Sequence, residues 1–167
     1  MSSFLRRTCL GIALALAAWP ALGSAAEYPA KGPDIYDVRA DGSTQVDSAV
    51  ASATLGNKRI LLVFGANWCI WCRRLHAVFE KDPAVSKSLR DFVVVEIDVN
   101  KRAGVNRNAA VVSKYGVPID AGIPAVAVLD SSGRLLNLKD TGELEDGDGY
   151  SRAKILAFLA SWAPPAH

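Results

Sequence analysis

Two cysteines with two residues between them, Cys69 and Cys72, lie in the stretch Asn67-Trp68-Cys69-Ile70-Trp71-Cys72-Arg73-Arg74. That spacing serves metal ligation, haem attachment, a structural crosslink, or exchange of electrons with another dithiol. A zinc site commonly needs a second such pair or two closely spaced histidines, and the chain otherwise offers only Cys9, His76 and His167, which lack that spacing. Covalent haem needs a histidine directly after the second cysteine, where Arg73 stands. A crosslink over so short a gap restrains the unfolded chain little. Electron exchange explains the placement as well as the spacing. The apolar run Arg59 to Phe64 leads into the motif, and the residues after Cys69 become helical, so Cys69 falls in the first turn of a helix. Backbone N–H groups and the positive helix end there favour thiolate over thiol. Cys72, about one turn on and deeper, is placed to resolve a mixed disulfide formed on Cys69. Arg73 and Arg74 continue the helix and read as a solvated face sooner than as cations held near the thiolate.

The elements that must position this pair follow from periodicity. Ser43 or Thr44 caps a helix running through Leu55, with Val46, Ala49, Val50 and Ala53 on one stripe and Gly56-Asn57 at its end. Arg59 to Phe64 and Phe92 to Val99 are apolar without alternation, the pattern of strands covered on both faces. Leu75, Val78 and Phe79 continue the active helix until Asp82-Pro83 restarts one over 83–89. A short helix over 108–115 ends at Gly116, strands are expected over 125–129 and 134–138 around the turn at 130–133, and a last helix covers 152–162. Ile35 to Val38 reads as a short strand and 141–149 as a solvated loop, acidic but without the ligand spacing of a calcium loop. The order predicts an α/β fold: a central mixed sheet flanked by helices on both faces.

The N-terminal 26 residues have a secretory layout: Arg6 and Arg7, an apolar stretch from Cys9 to Leu22, and a small-residue cleavage site at Ser24-Ala25-Ala26. The expected organisation is a signal over 1–26 that carries Cys9 away, a leader over 27–42, one domain over 43–163 and a tail over 164–167, with a periplasmic destination. The chain has 19 Lys and Arg against 17 Asp and Glu, and the signal holds two arginines and no acid, so the mature protein is formally neutral. No basic field favours nucleic acid or anionic lipid. No nicotinamide or flavin motif is present, so no cofactor is expected and a soluble or membrane-bound redox partner must regenerate the dithiol.

The strand leading to Trp68-Cys69-Ile70-Trp71-Cys72, followed far downstream by Tyr115-Gly116 and Gly122-Ile123-Pro124 and by the hairpin at Ser132-Gly133, resembles the thioredoxin superfamily over most of the mature chain. The resemblance implies a thioredoxin fold in which Pro124 is a cis-proline facing Cys69, Ile123 pairs with an extended substrate strand, and Trp68 and Trp71 shape the substrate surface. Phe79 and Asp82-Pro83-Ala84-Val85 resemble the branch holding secreted thioredoxin-like proteins and the C-terminal domain of the membrane disulfide reductase. Three departures stand out. The buried acid of thioredoxins and its lysine neighbour correspond to Val63 and Val94, which leaves His76 and Glu96 as candidates for proton transfer. Ile70-Trp71 replaces the familiar residues between the cysteines. Ile119-Asp120-Ala121 lengthens the loop before Pro124, as a partner-selecting rim or a tolerated insertion.

The function expected is a periplasmic, monomeric thiol–disulfide oxidoreductase, reductase-like, acting on protein disulfides. The alternatives are a disulfide oxidase or isomerase, and a copper chaperone using Cys69, Cys72 and His76; the single Met is the initiator, so thioether ligands are absent from the mature chain.

Overall fold

The two unalternating apolar runs, Arg59–Gly65 (β1) and Phe92–Asp98 (β2), pair in parallel, with Arg59 opposite Phe92 and Gly65 opposite Asp98. These elements are seen in a computed structural model that describes residues 31–100 and 106–165. The expected signal, Cys9, the start of the leader and His167 lie outside the described residues. Ala125–Leu129 (β3) runs antiparallel along the other side of β1, and Leu135–Asp140 (β4) is antiparallel to β3. The sheet order is β2-β1-β3-β4, which puts β1 and β3 inside and explains why neither alternates.

Helices cover both faces. Gly42–Gly56 (α1) and Ala109–Tyr115 (α4) pack on one, where Val46, Ala53, Phe64, Ile97 and Val111 share a core. Ile70–Lys81 (α2), Pro83–Ser88 (α3) and Arg152–Trp162 (α5) pack on the other, over Leu61, Val63, Leu75, Phe79, Val85, Ile155 and Leu159. The mixed sheet with helices on both faces is therefore the fold of this chain. Asp82 ends α2 and begins α3: its carboxylate accepts from the N–H groups of Ala84 and Val85, and Pro83 takes the first helical turn, where its missing donor costs nothing.

The differences from expectation are local. Asp41, not Ser43 or Thr44, caps α1; its side chain accepts from the Thr44 backbone and hydroxyl. Residues 35–38 form no strand, because the backbone of Ile35 and Tyr36 bonds to the Asn67 side chain instead of to a neighbouring strand. Residues 141–149 are not an irregular solvated loop. A 3-10 turn at Thr141–Leu144 leads to a two-stranded hairpin, Glu145–Asp146 (β5) with Gly149–Tyr150 (β6), because Thr141, Leu144 and Tyr150 are buried beneath it.

Candidate active site

Cys69 is the N-cap of α2. Its backbone is extended (φ −79°, ψ 115°), and its Sγ takes the place of the usual cap oxygen, accepting the Cys72 N–H at 3.1 Å. Both cysteines are free thiols, 5% and 1% exposed respectively. The Cys72 S–H also donates to the Cys69 sulfur, and this bond, followed by the backbone N–H groups of Cys72 and Trp71, holds the Cys69 thiol below its ordinary range against the opposing effect of burial. Burial pushes Cys72 far upward, and proximity to Cys69 adds to it. The geometry thus divides the pair into a thiolate-forming Cys69 and a thiol-retaining Cys72.

Across the site the Ile123–Pro124 peptide is cis, and the Ile123 carbonyl lies 3.4 Å from Cys69 Sγ. The carbonyl of Pro124 is fixed from behind by the buried Thr141, whose Oγ1 donates to it at 2.6 Å. Trp68 is 40% exposed, and with Cys69, Trp71, Ile119 and Ile123 it lines an open cleft of about 430 Å³. Ile119 is 4% exposed, so the loop before Pro124 is anchored in the core and contributes to the cleft wall. Trp71 turns partly inward: its ring meets Tyr150 edge to face at 5.7 Å and carries the Arg74 guanidinium 4.5 Å from its centroid.

Arg73 corrects the expectation of a solvated helix face. It is 8% exposed; its Nε donates to the Asn67 carbonyl at 2.9 Å, and its Nη1 and Nη2 donate to the carbonyls of Pro33 and Gly32. Asn67 and Arg73, on either side of the cysteines, thereby clamp the segment before α1 and bring Tyr36 onto the pair. Tyr36 is 1% exposed and clusters with Cys69 and Cys72, a neighbour missed in the sequence. The available signal was an isolated aromatic residue between Ile35 and Val38 in a polar leader.

The strand register also revises the buried-acid comparison. Val63 pairs with Glu96, whereas Val94 pairs with Leu61 and is 37% exposed. Glu96 Oε1 lies 2.7 Å from His76 Nδ1, so these two sequence candidates are brought together on the α2 side of the sheet. Burial raises the Glu96 carboxyl above its usual range, opposed by its contact with His76. Among the described residues no three His, Cys, Asp or Glu side chains converge as a metal site. No helix among them is long and apolar enough to cross a membrane.

A mixed sheet delivering a Cys-x-x-Cys pair to a helix N-terminus, opposite a cis-proline, defines the thioredoxin class of thiol–disulfide oxidoreductases. Residues 41–131 match the thioredoxin-like family model, and the chain belongs to that family. The solved disulphide isomerase from Xylella fastidiosa Temecula1 is 38% identical, with a TM-score of 0.66, covering 76% of this chain and 95% of its own. The thiol:disulfide interchange protein DsbD of Ralstonia nicotianae is 28% identical over 123 residues, 74% of this chain but 18% of that protein. This chain therefore spans under a fifth of that curated relative. The oxidised C-terminal domain of Neisseria meningitidis DsbD, at 23% identity and a TM-score of 0.54 over 74% of this chain and 97% of its own, shares the fold.

Proposed function

We propose that this protein is a periplasmic, monomeric reductase of protein disulfides. Cys69 thiolate attacks a substrate disulfide, forming one mixed disulfide and releasing one substrate thiolate. Cys72 then loses its proton, attacks the Cys69 sulfur and releases the second substrate thiolate. The Cys72 proton passes through the Glu96–His76 pair toward solvent or the departing thiolate, so that a dithiol and a disulfide become a disulfide and two thiols. Ile123 offers its main chain to the extended substrate, and Trp68 and Trp71 contact its side chains. A soluble or membrane-bound dithiol partner restores the reduced form.

The split between the cysteines carries the reading. A Cys72 thiol held upward by burial is the poorer leaving group, so attack on Cys69 of the Cys69–Cys72 disulfide is slow to reopen it, which supports the reductive direction. Equilibration against glutathione tests this: the pair is expected to be more reducing than glutathione, with insulin reduction lost in Cys69→Ser. A strongly oxidising pair would contradict it. The description of the Xylella fastidiosa relative favours a second reading, isomerisation, which refolding of scrambled ribonuclease distinguishes from net reduction.

A further inference from the structure

The Cys69–Cys72 chemistry leaves unexplained why a tyrosine from outside the α/β elements is buried against the resolving cysteine. Gly65, at the end of β1, supplies the opening. A Cβ built on Gly65 would lie 2.2 Å from the Tyr36 hydroxyl oxygen and 2.8 Å from Cys72 Sγ, so both groups occupy the space that a side chain at position 65 would take. Tyr36 is held there by its own backbone: Asn67 Oδ1 accepts from the N–H groups of Ile35 at 2.8 Å and Tyr36 at 2.9 Å, and Asn67 Nδ2 donates to the Tyr36 carbonyl at 2.9 Å. Arg73 fixes the chain just upstream through the carbonyls of Gly32 and Pro33. Both clamping residues belong to the cysteine motif.

We propose that the Tyr36 hydroxyl is a catalytic group of this dithiol, donating a hydrogen bond to the Cys72 sulfur and stabilising the thiolate that Cys72 becomes when it resolves a mixed disulfide. The inference rests on the exchange reading above and deepens it. In the forward direction Cys72 gives up its proton, its sulfur attacks Cys69 Sγ, the Cys69–substrate bond breaks and the substrate leaves as a thiolate. When a donor dithiol attacks Cys69 of the protein disulfide, the Cys72 sulfur is the leaving group and meets the same hydroxyl. Burial holds the Tyr36 hydroxyl well above its usual range, so it keeps its proton and acts as a donor, not as the base that deprotonates Cys72. The hydrogen bond from Tyr36, together with that from the Ala66 backbone N–H, lowers the cost of the Cys72 thiolate against the burial and the Cys69 proximity that oppose it. Other titratable groups whose charge bears on this cluster are Cys69, Tyr150 from β6 and Glu96 from β2, the last paired with His76 from α2.

Rapid mixing of the reduced protein with glutathione disulfide, acid quenching and intact-mass measurement separate the two steps. In Tyr36→Phe, which retains the ring, the Cys69–glutathione adduct should form at close to the wild-type rate. Its conversion to the Cys69–Cys72 disulfide should slow roughly 10- to 100-fold, the effect of losing a hydrogen bond to a charged group. The pH midpoint of that second step should move upward. Asn67→Ala, which loosens the segment without touching the ring, should slow the same step. Wild-type resolution that persists unchanged in Tyr36→Phe, with the same pH midpoint, overturns the inference alone. A wild-type protein that forms no adduct at Cys69 overturns the exchange reading and the inference together.

Discussion

At Cys69 the first cause of the lowered thiol pKa is the Cys72 S–H, ahead of the backbone donors. The alkylation rate of Cys69 should therefore titrate with a midpoint below the ordinary thiol value of about 8.5. In Cys72→Ala that midpoint should rise, since one donor is gone while the Trp71 and residue-72 amides remain. Iodoacetamide kinetics across pH measure this, and an unmoved midpoint would assign the effect to the helix backbone. His76 and Glu96 make a second case at this scale. Their 2.7 Å contact is the proposed path for the Cys72 proton, so Glu96→Gln should slow resolution more than it slows adduct formation. Equal slowing of both steps would place Glu96 outside that path.

At the scale of elements, the part of the site farthest from the cysteines in sequence is also held by a specific contact. Thr141 in the 3-10 turn after β4 donates to the Pro124 carbonyl and receives a hydrogen bond from the Tyr150 hydroxyl at 3.4 Å. Thr141→Val keeps the shape but leaves that buried carbonyl unpaired, at a cost of about 1–3 kcal/mol. Chemical denaturation should show the loss as a lower midpoint at unchanged slope. These elements also show what can be read from a chain and what cannot. The strands were legible because β1, β2 and β3 are apolar runs of the right length, and the break between α2 and α3 because Asp82-Pro83 announces a cap. Cys69, Cys72 and Pro124 stood out by residue type and order. Tyr36, Arg73 and Thr141 did not, because what defines them is contact across 31, 41 and 17 positions of chain, which leaves no local period. An arginine inside an amphipathic helix looks solvated until the carbonyls it meets are known. The pairing of Glu96 with Val63 likewise depended on a strand register that residue counting had set two positions away.

Across the whole molecule the two cysteines link folding to redox state with opposite signs. Cys69, with its pKa depressed on folding, contributes stability to the reduced protein that is present above the unfolded thiol value of about 8.5 and lost as pH falls through the folded value. Cys72, with its pKa raised, contributes stability that is present below about 8.5 and lost as pH rises above it. The difference in unfolding free energy between reduced and oxidised protein should therefore peak near pH 8.5 and fall on either side, whereas a flat difference would mean that folding leaves both thiols at their ordinary values. The central claim is that Cys69 is the nucleophile and Cys72 the resolver of disulfide exchange with proteins. Its most direct test is to express Cys72→Ala in the periplasm, quench with acid, and identify adducts by non-reducing electrophoresis and mass spectrometry. Mixed disulfides joined through Cys69, and absent from Cys69→Ala/Cys72→Ala, are expected; a Cys72→Ala protein that accumulates none while its Cys69 remains free and reactive would contradict this assignment.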